Sequence, residues 1–501
     1  EDSRTGRYFD NVFALFNEDE SAIPLSTKSA MMISYSTYAA VNENYKIATQ
    51  CLVQAMEQME ESWKNYVRYL NDDRLIQILE PTQLQFASVY AILRTIENCS
   101  TAYEYILQFK ALASLASKER NRILNSAHID QDLLDEIHKA QDRIAALEIE
   151  SQVRDISFEY EKEQIALRTL EAQFAQRFPS QDNFISITWD TVKDAIPDES
   201  VVVEYYYCAF EYGRRQFDGN SSEPKMGLDI FITQKHHGEC KLTKLVVEDS
   251  EDLLSLSDEF VEILQAESNG NVTLEQVSKL DELREILFKS LVKLALPYLE
   301  GFETVYIAPD LNLTNLPFEI LYDDEYEAIG EEHDVIKIEC ARDFLFVRKP
   351  DNTDGGSLII GDPQYDIRDK DLGTRDDDSN NNNRLLNLKS TQIKPLPCSK
   401  IEAKQIGRHL NSNYYIGFTA TKYLLSKKTD YRNIHLATHG YFDLSESGSS
   451  MYSSCLLFAG VNNWLRDGKS SSIYGNGILT ADEISRMDCK NAELVVLSSC
   501  L

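Results

Sequence analysis

The sequence predicts an α + α/β chain, a helical region followed by an α/β region. Three observations carry this. From about residue 28 to 178 there is almost no Gly or Pro, and apolar residues recur at three- and four-residue steps, the period of amphipathic helices. Past Phe178-Pro179 the composition turns to β-branched and aromatic runs. From there to the end, such runs alternate with helical segments, a pattern that implies a mainly parallel sheet.

Within the helical region, Tyr45, Ala48, Leu52 and Ala55 are spaced like the second helix of a tetratricopeptide (TPR) repeat, where small alanines let helices approach closely. Ala102, Ile106 and Phe109 echo them at an interval that does not keep a regular ~34-residue period. Irregular repeats are one reading and an ordinary helical bundle the other. Residues 131–177 read as one or two long charged helices with an apolar stripe of Leu133, Ile137, Ala140, Ile144 and Leu147, a spacer or cap.

In the α/β region, Ser200–Cys208, Leu228–Thr233 and Glu303–Pro309 read as strands, with helices at about 251–266 and 274–297. A second set follows Gly355-Gly356: Ser357–Gly361 as a strand, Ser399–Leu410 as a helix, and Asn433–Thr438 and Glu493–Ser498 as strands. Arg375–Asn383 is polar and low in complexity, an exposed loop open to cleavage. The expected division is therefore 1–178 helical, 179–350 a first α/β half, and 351–501 a second.

Composition bounds the function. A chain of 501 residues with 43% apolar and 26% charged residues is folded and water-soluble, with two to four domains expected. The 82 acidic residues outnumber the 50 basic ones, and a net charge of −32 disfavours non-specific binding to nucleic acid or an anionic membrane. Basic protein partners fit better. Nine scattered cysteines form no disulfide framework, which suits the cytoplasm. Neither a signal peptide nor a run of eighteen apolar residues is visible, although the start at Glu1 rather than Met suggests that something N-terminal is missing.

The chemistry concentrates near the end. His439-Gly440 closes one predicted strand and Ser498-Ser499-Cys500 closes another. In an open parallel sheet the strand C-termini on one edge form the binding crevice, so these two ends can place an imidazole beside a thiol. Such a pair makes a thiolate nucleophile, and the N–H groups of Gly440 and Cys500 could receive an oxyanion.

His435 lies four residues before His439, but the Glu of a His-Glu-x-x-His zinc motif is replaced by Leu436, and in a strand the two are about 13 Å apart. No metal or cofactor is expected. Thr480-Ala-Asp-Glu483 reads as a capping box, with Asp482 or Asp443 as alternative linings of a pocket for a basic side chain. Cys398, Cys455 and Cys489 read as packing thiols. Gly448–Ser472 reads as a loop-rich insertion around one strand.

Ile434–Phe442 resembles the histidine motif of CHAT proteases, and Glu493–Cys500 resembles their cysteine motif. Cys455–Gly460, Gly477–Ile484, Val305–Asp310, Leu316–Leu321 and Ile401–Gly417 resemble further family segments in order, over roughly residues 180–501.

The resemblance implies a caspase- and separase-like fold with a pseudo-protease half and an active half. It implies a cysteine endopeptidase with His439 and Cys500 as its dyad, cleaving a protein partner in bacterial antiphage defence after an activator engages the TPR-like region. A catalytically inactive scaffold or sensor is the alternative. Docking on a CRISPR complex and activation of a gasdermin are further settings known in the family. Members usually continue past the cysteine, so the catalytic half is expected to be incomplete at Leu501 and to be completed by further polypeptide.

Overall fold

A computed structural model describes residues 25–67, 89–94, 99–124, 131–151, 157–177, 185–209, 226–247, 250, 252–268, 272–347, 355–367, 392–426, 431–441, 454–467, 475–485, 487, 489 and 491–499. It mixes helix and sheet, and its contacts divide it into two units that are not continuous in sequence.

The first unit contains residues 74–120 and 180–347 together with the N-terminal helices. Helix α1 (Leu25–Val41) and α2 (Tyr45–Val67) form a hairpin, and the buried Ser36 hydroxyl donates to the Ala48 carbonyl between them at 2.9 Å. Ala48, Leu52, Ala55, Met56, Met59 and Trp63 share the buried face of α2, whereas Tyr45 of the repeat-like spacing is exposed. Helices α3 (Cys99–Phe109) and α4 (Leu112–Leu124) follow, and in α3 Ala102, Ile106 and Phe109 are buried.

These helices share one core with a sheet. Strands β1 (Ser200–Ala209), β2 (Met226–His236), β3 (Glu239–Val247), β4 (Thr304–Ala308) and β5 (Asp334–Lys337) lie in the order β3-β2-β1-β4-β5. The sheet is mixed rather than mainly parallel. The β1–β2 and β2–β3 pairs are antiparallel, because a two-residue turn at His237-Gly238 makes β2–β3 a hairpin, while β1–β4 and β4–β5 are parallel. The continuous apolar run of β1 is explained by burial on both faces. Val201, Val203, Tyr205 and Tyr207 pack with helices α5 (Leu253–Ser268) and α6 (Leu274–Leu287), while Val202 and Cys208 share the core of α1–α4.

Charged groups tie the helices to the sheet. Glu204, fully buried on β1, receives Lys110 Nζ at 3.2 Å, the Tyr103 hydroxyl at 3.1 Å and the Ala341 N–H at 3.2 Å. Burial, then the Glu204 charge, push the Tyr103 phenol well up, so it stays a donor. The buried Arg342 guanidinium donates to the carbonyls of Leu107, Lys110 and Ala111, capping the C-terminal end of α3. Asp229 on β2 is held by Tyr90 at 2.7 Å, Arg94 at 3.0 Å and Lys244 at 2.8 Å.

The second unit contains residues 121–179 and 348–501. Its helices Gln131–Ser151 and Ser157–Arg177 pair along their length, with Arg143 and Glu163 at 2.8 Å, and Leu133, Ile137, Ala140 and Ile144 form the buried stripe of the first. Strands β6 (Ser357–Pro363), β7 (Tyr414–Gly417), β8 (Asn433–Ala437) and β12 (Leu494–Ser498) form an all-parallel sheet in the order β12-β8-β6-β7. A small antiparallel sheet, β11-β10-β9, joins Ile478–Thr480, Cys455–Leu457 and Gly440–Tyr441. Inside the segment expected to be loop-rich, Val461–Asp467 forms a helix. The low-complexity run 375–383 lies outside the described residues.

Helix Pro397–His409 lies so close over β6 that a Cβ on Gly361 would sit 2.6 Å from the Ser399 carbonyl oxygen and 2.8 Å from Ala403 Cβ. Only glycine permits that approach. Gly361→Ala is expected to cost about 1–3 kcal/mol of overpacking strain in equilibrium unfolding; an unchanged unfolding midpoint would mean that the helix is free to lift.

Candidate active site

Strand β8 is built for burial: Ile434, Leu436 and Ala437 are in the core, and the chain emerges at His439, which is partly exposed. The β8–β12 register pairs Ala437 with Ser498 at the same C-terminal edge, so Thr438 and Ser499 follow directly on the matched strand ends and His439 comes one residue later. A Cβ added to Gly440 would meet Ser499 Oγ at 3.1 Å and Ser499 Cβ at 3.3 Å, which places the residue before Cys500 against the residue after His439. The glycine is what leaves room for this approach. Cys500 and Asp443 lie outside the described residues, as does the side chain of Asp482, whose backbone belongs to the helix Ala481–Ser485.

The imidazole of His439 is oriented by a carbonyl. Its Nε2 is 2.9 Å from the Lys394 carbonyl oxygen, which can only accept, so Nε2 carries the proton and Nδ1 is the basic nitrogen. The ring also lies 5.5 Å, centroid to centroid, from that of Tyr365. Behind it runs a chain of hydroxyls. The Thr438 hydroxyl donates to the Leu457 carbonyl, the Tyr365 hydroxyl therefore donates to Thr438 at 3.0 Å, and the His439 N–H donates to Tyr365 at 3.4 Å. Burial pushes the Tyr365 phenol up, which keeps it protonated and able to donate.

The sequence reading missed what holds Lys394 in place. Asn462 and Asn463, both buried at the start of the helix Val461–Asp467, each make a two-bond pair with a backbone residue. Asn462 accepts from the Ile393 N–H at 3.0 Å and donates to its carbonyl at 2.9 Å. Asn463 does the same to Ile367, at 2.8 and 2.9 Å. One asparagine therefore fixes the chain just after Tyr365 and the other the residue just before Lys394, the two partners of His439. Asn462→Ala should lower any His439-dependent activity by about 100-fold through loss of ring placement, read as turnover at saturating substrate. A change of less than threefold would show that Lys394 is held without it.

His435 points elsewhere. Its Nε2 is 2.9 Å from Glu402 Oε1 on the helix over β6, and it is nearly buried. The capping box is present: Glu483 accepts from the Thr480 N–H at 2.9 Å and the Thr480 hydroxyl accepts from the Glu483 N–H at 3.2 Å. Lys422 Nζ adds an ion pair to Glu483 at 2.8 Å. Cys455 is buried as expected, and burial pushes its thiol up to about 12. Cys398 is not a packing thiol, because it sits exposed on the first turn of the helix Pro397–His409.

The second unit thus presents a parallel α/β sheet with a carbonyl-oriented histidine just past one strand end and Ser499 just past the end of the adjoining strand. Comparison with known families is more specific: residues 278–501 match the CHAT domain, and the chain carries a CHAT domain over that span, a domain related to the caspase-like cysteine peptidases. The match begins within α6, so β4, β5 and the whole second sheet fall inside it while β1–β3 fall outside. No curated protein matches the chain.

Proposed function

We propose that the chain is a caspase-like cysteine endopeptidase in which His439 and Cys500 form the dyad and the substrate is a protein partner. The observation that carries this reading is the parallel β8–β12 register, which ends the His and Cys motifs at one sheet edge. Nδ1 of His439 takes the proton of the Cys500 thiol, and the thiolate attacks the scissile carbonyl carbon. The N–H groups of Gly440 and Cys500 receive the developing oxyanion. The C–N bond breaks as the imidazolium returns its proton to the leaving amine, and water then hydrolyses the thioester.

The TPR-like helical region would receive the activator, and Asp443 or Asp482 would select a basic residue at the cut. The residues from β1 to β5 would form the pseudo-protease half. Cys51, Cys99, Cys208, Cys240, Cys340, Cys398 and Cys455 are free thiols, which fits a cytoplasmic protein, and no described helix is long and apolar enough to cross a membrane. The antiphage-defence setting rests on the family resemblance alone.

The test is a thiol-directed peptidyl probe on the intact chain, with the adduct mapped by mass spectrometry. An adduct at Cys500 that disappears in His439→Ala supports the dyad. Labelling confined to the exposed Cys398 would overturn it.

A further inference from the structure

The β1–β2 ladder ends with Ser200 opposite Lys235, so the next pair outward is Glu199 opposite His236. Directly opposed positions on antiparallel strands have Cβ atoms about 4.5–5.5 Å apart. The next residue, His237, has φ 51°, and Glu199 has φ 54°, both in the left-handed region that non-glycine residues rarely adopt. The outcome is that two adjacent imidazoles, which an extended strand would send to opposite faces, turn to the same carboxylate. His236 Nδ1 lies 2.5 Å from Glu199 Oε2, and His237 Nδ1 lies 3.2 Å from Glu199 Oε1. The two rings are 4.0 Å apart. All the donor atoms fall within 4.8 Å of one another, and this is the one such group among the described residues.

We propose that Glu199, His236 and His237 form a binding site for a divalent transition-metal ion, zinc in the first instance, at the end of the β1–β2 pair. The donor set is two imidazole nitrogens and one carboxylate, a combination that zinc accepts with a fourth position left to water. Tetrahedral zinc with bonds of about 2.0–2.2 Å needs donor atoms roughly 3.3 Å apart, and the Glu199–His237 contact already has that spacing. An exposed His–Glu ion pair alone gains little and does not call for a second imidazole. The Gly238 N–H donates to Asp198 Oδ1 at 2.9 Å and the His237 N–H donates to Glu199 Oε1 at 3.1 Å, so the turn that carries the ligands is fixed from both sides.

The site lies outside the CHAT match and owes nothing to the proposed dyad, so its test is separate from the protease reading. The intact chain is titrated with zinc sulfate by calorimetry in a reducing, non-chelating buffer. Histidine ring nitrogens are followed in parallel by NMR, where only eight histidines contribute. The expected result is that zinc shifts the Nδ1 signals of His236 and His237 together. In His237→Ala and in Glu199→Gln, which keeps a carbonyl acceptor for the turn, that equivalent should weaken by at least the tenfold to hundredfold that loss of a mere supporting partner costs. Circular dichroism unchanged from wild type checks that the exposed substitutions leave the fold intact. Ring signals that stay in place at saturating zinc, or variants that titrate as the wild type does, would overturn the site.

Discussion

Cys500→Ala and His439→Ala should each abolish peptide cleavage, with losses of about 10³-fold or more, while the circular dichroism spectrum and unfolding midpoint stay near those of the wild type. The thiol is the nucleophile in the proposed step, and a methyl group in its place removes the reaction while changing little volume. The imidazole is partly exposed and anchored by a single carbonyl, so its loss removes the base without opening a core. His435→Ala is the internal control. It breaks a hydrogen bond between β8 and the helix over β6, worth about 1 kcal/mol, and should leave activity within several-fold of wild type. Peptidase assays on the three variants decide the matter. Near-normal turnover in either dyad variant would remove the assignment, and equal losses at His435 and His439 in folded protein would move the base.

The second large effect is on stability. Lys110→Met leaves the fully buried Glu204 without its cation, and breaking a buried pair from one side costs about 3–5 kcal/mol. Denaturant unfolding should show this, and adding Glu204→Gln should restore part of it because the unpaired charge is then gone. A loss below 1 kcal/mol would mean that Tyr103 and the Ala341 N–H suffice for Glu204. The same geometry bears on how an activator could act. Because α1–α4 and one face of the first sheet share a core, deleting residues 1–178 would uncover Val202, Cys208 and Phe231. A gate in the helices is therefore better tested by substitutions on their exposed faces than by truncation.

The local periodicities were legible. Strands β1, β2, β4, β6, β8 and β12 and the helices around 25–177 follow from runs of β-branched residues and from three- and four-residue spacings, since these patterns depend only on neighbours along the chain. The weaker β3, β5 and β7 escaped because all three lie at sheet edges and lack long apolar runs.

The candidate site was half legible. His439 and its glycine declare themselves by motif, and the order of segments matched the family over the second sheet. The companions of His439 did not. Lys394 acts through a backbone carbonyl, which every residue has, and Asn462 and Asn463 bond to backbone as well, so no side-chain pattern announces them. The same holds for the Glu199–His236–His237 cluster, whose carboxylate is far in sequence from its two adjacent histidines and meets them only when the ladder register sets Glu199 opposite His236. Sequence by itself determined most of the helical and strand segments and that His439 follows a strand end. Tertiary structure alone decided that the first sheet is mixed, that the N-terminal helices complete its core, and which carbonyl fixes the protonated nitrogen of His439. Pairing direction and hydrogen-bond partners are contacts between distant segments, which no local pattern encodes.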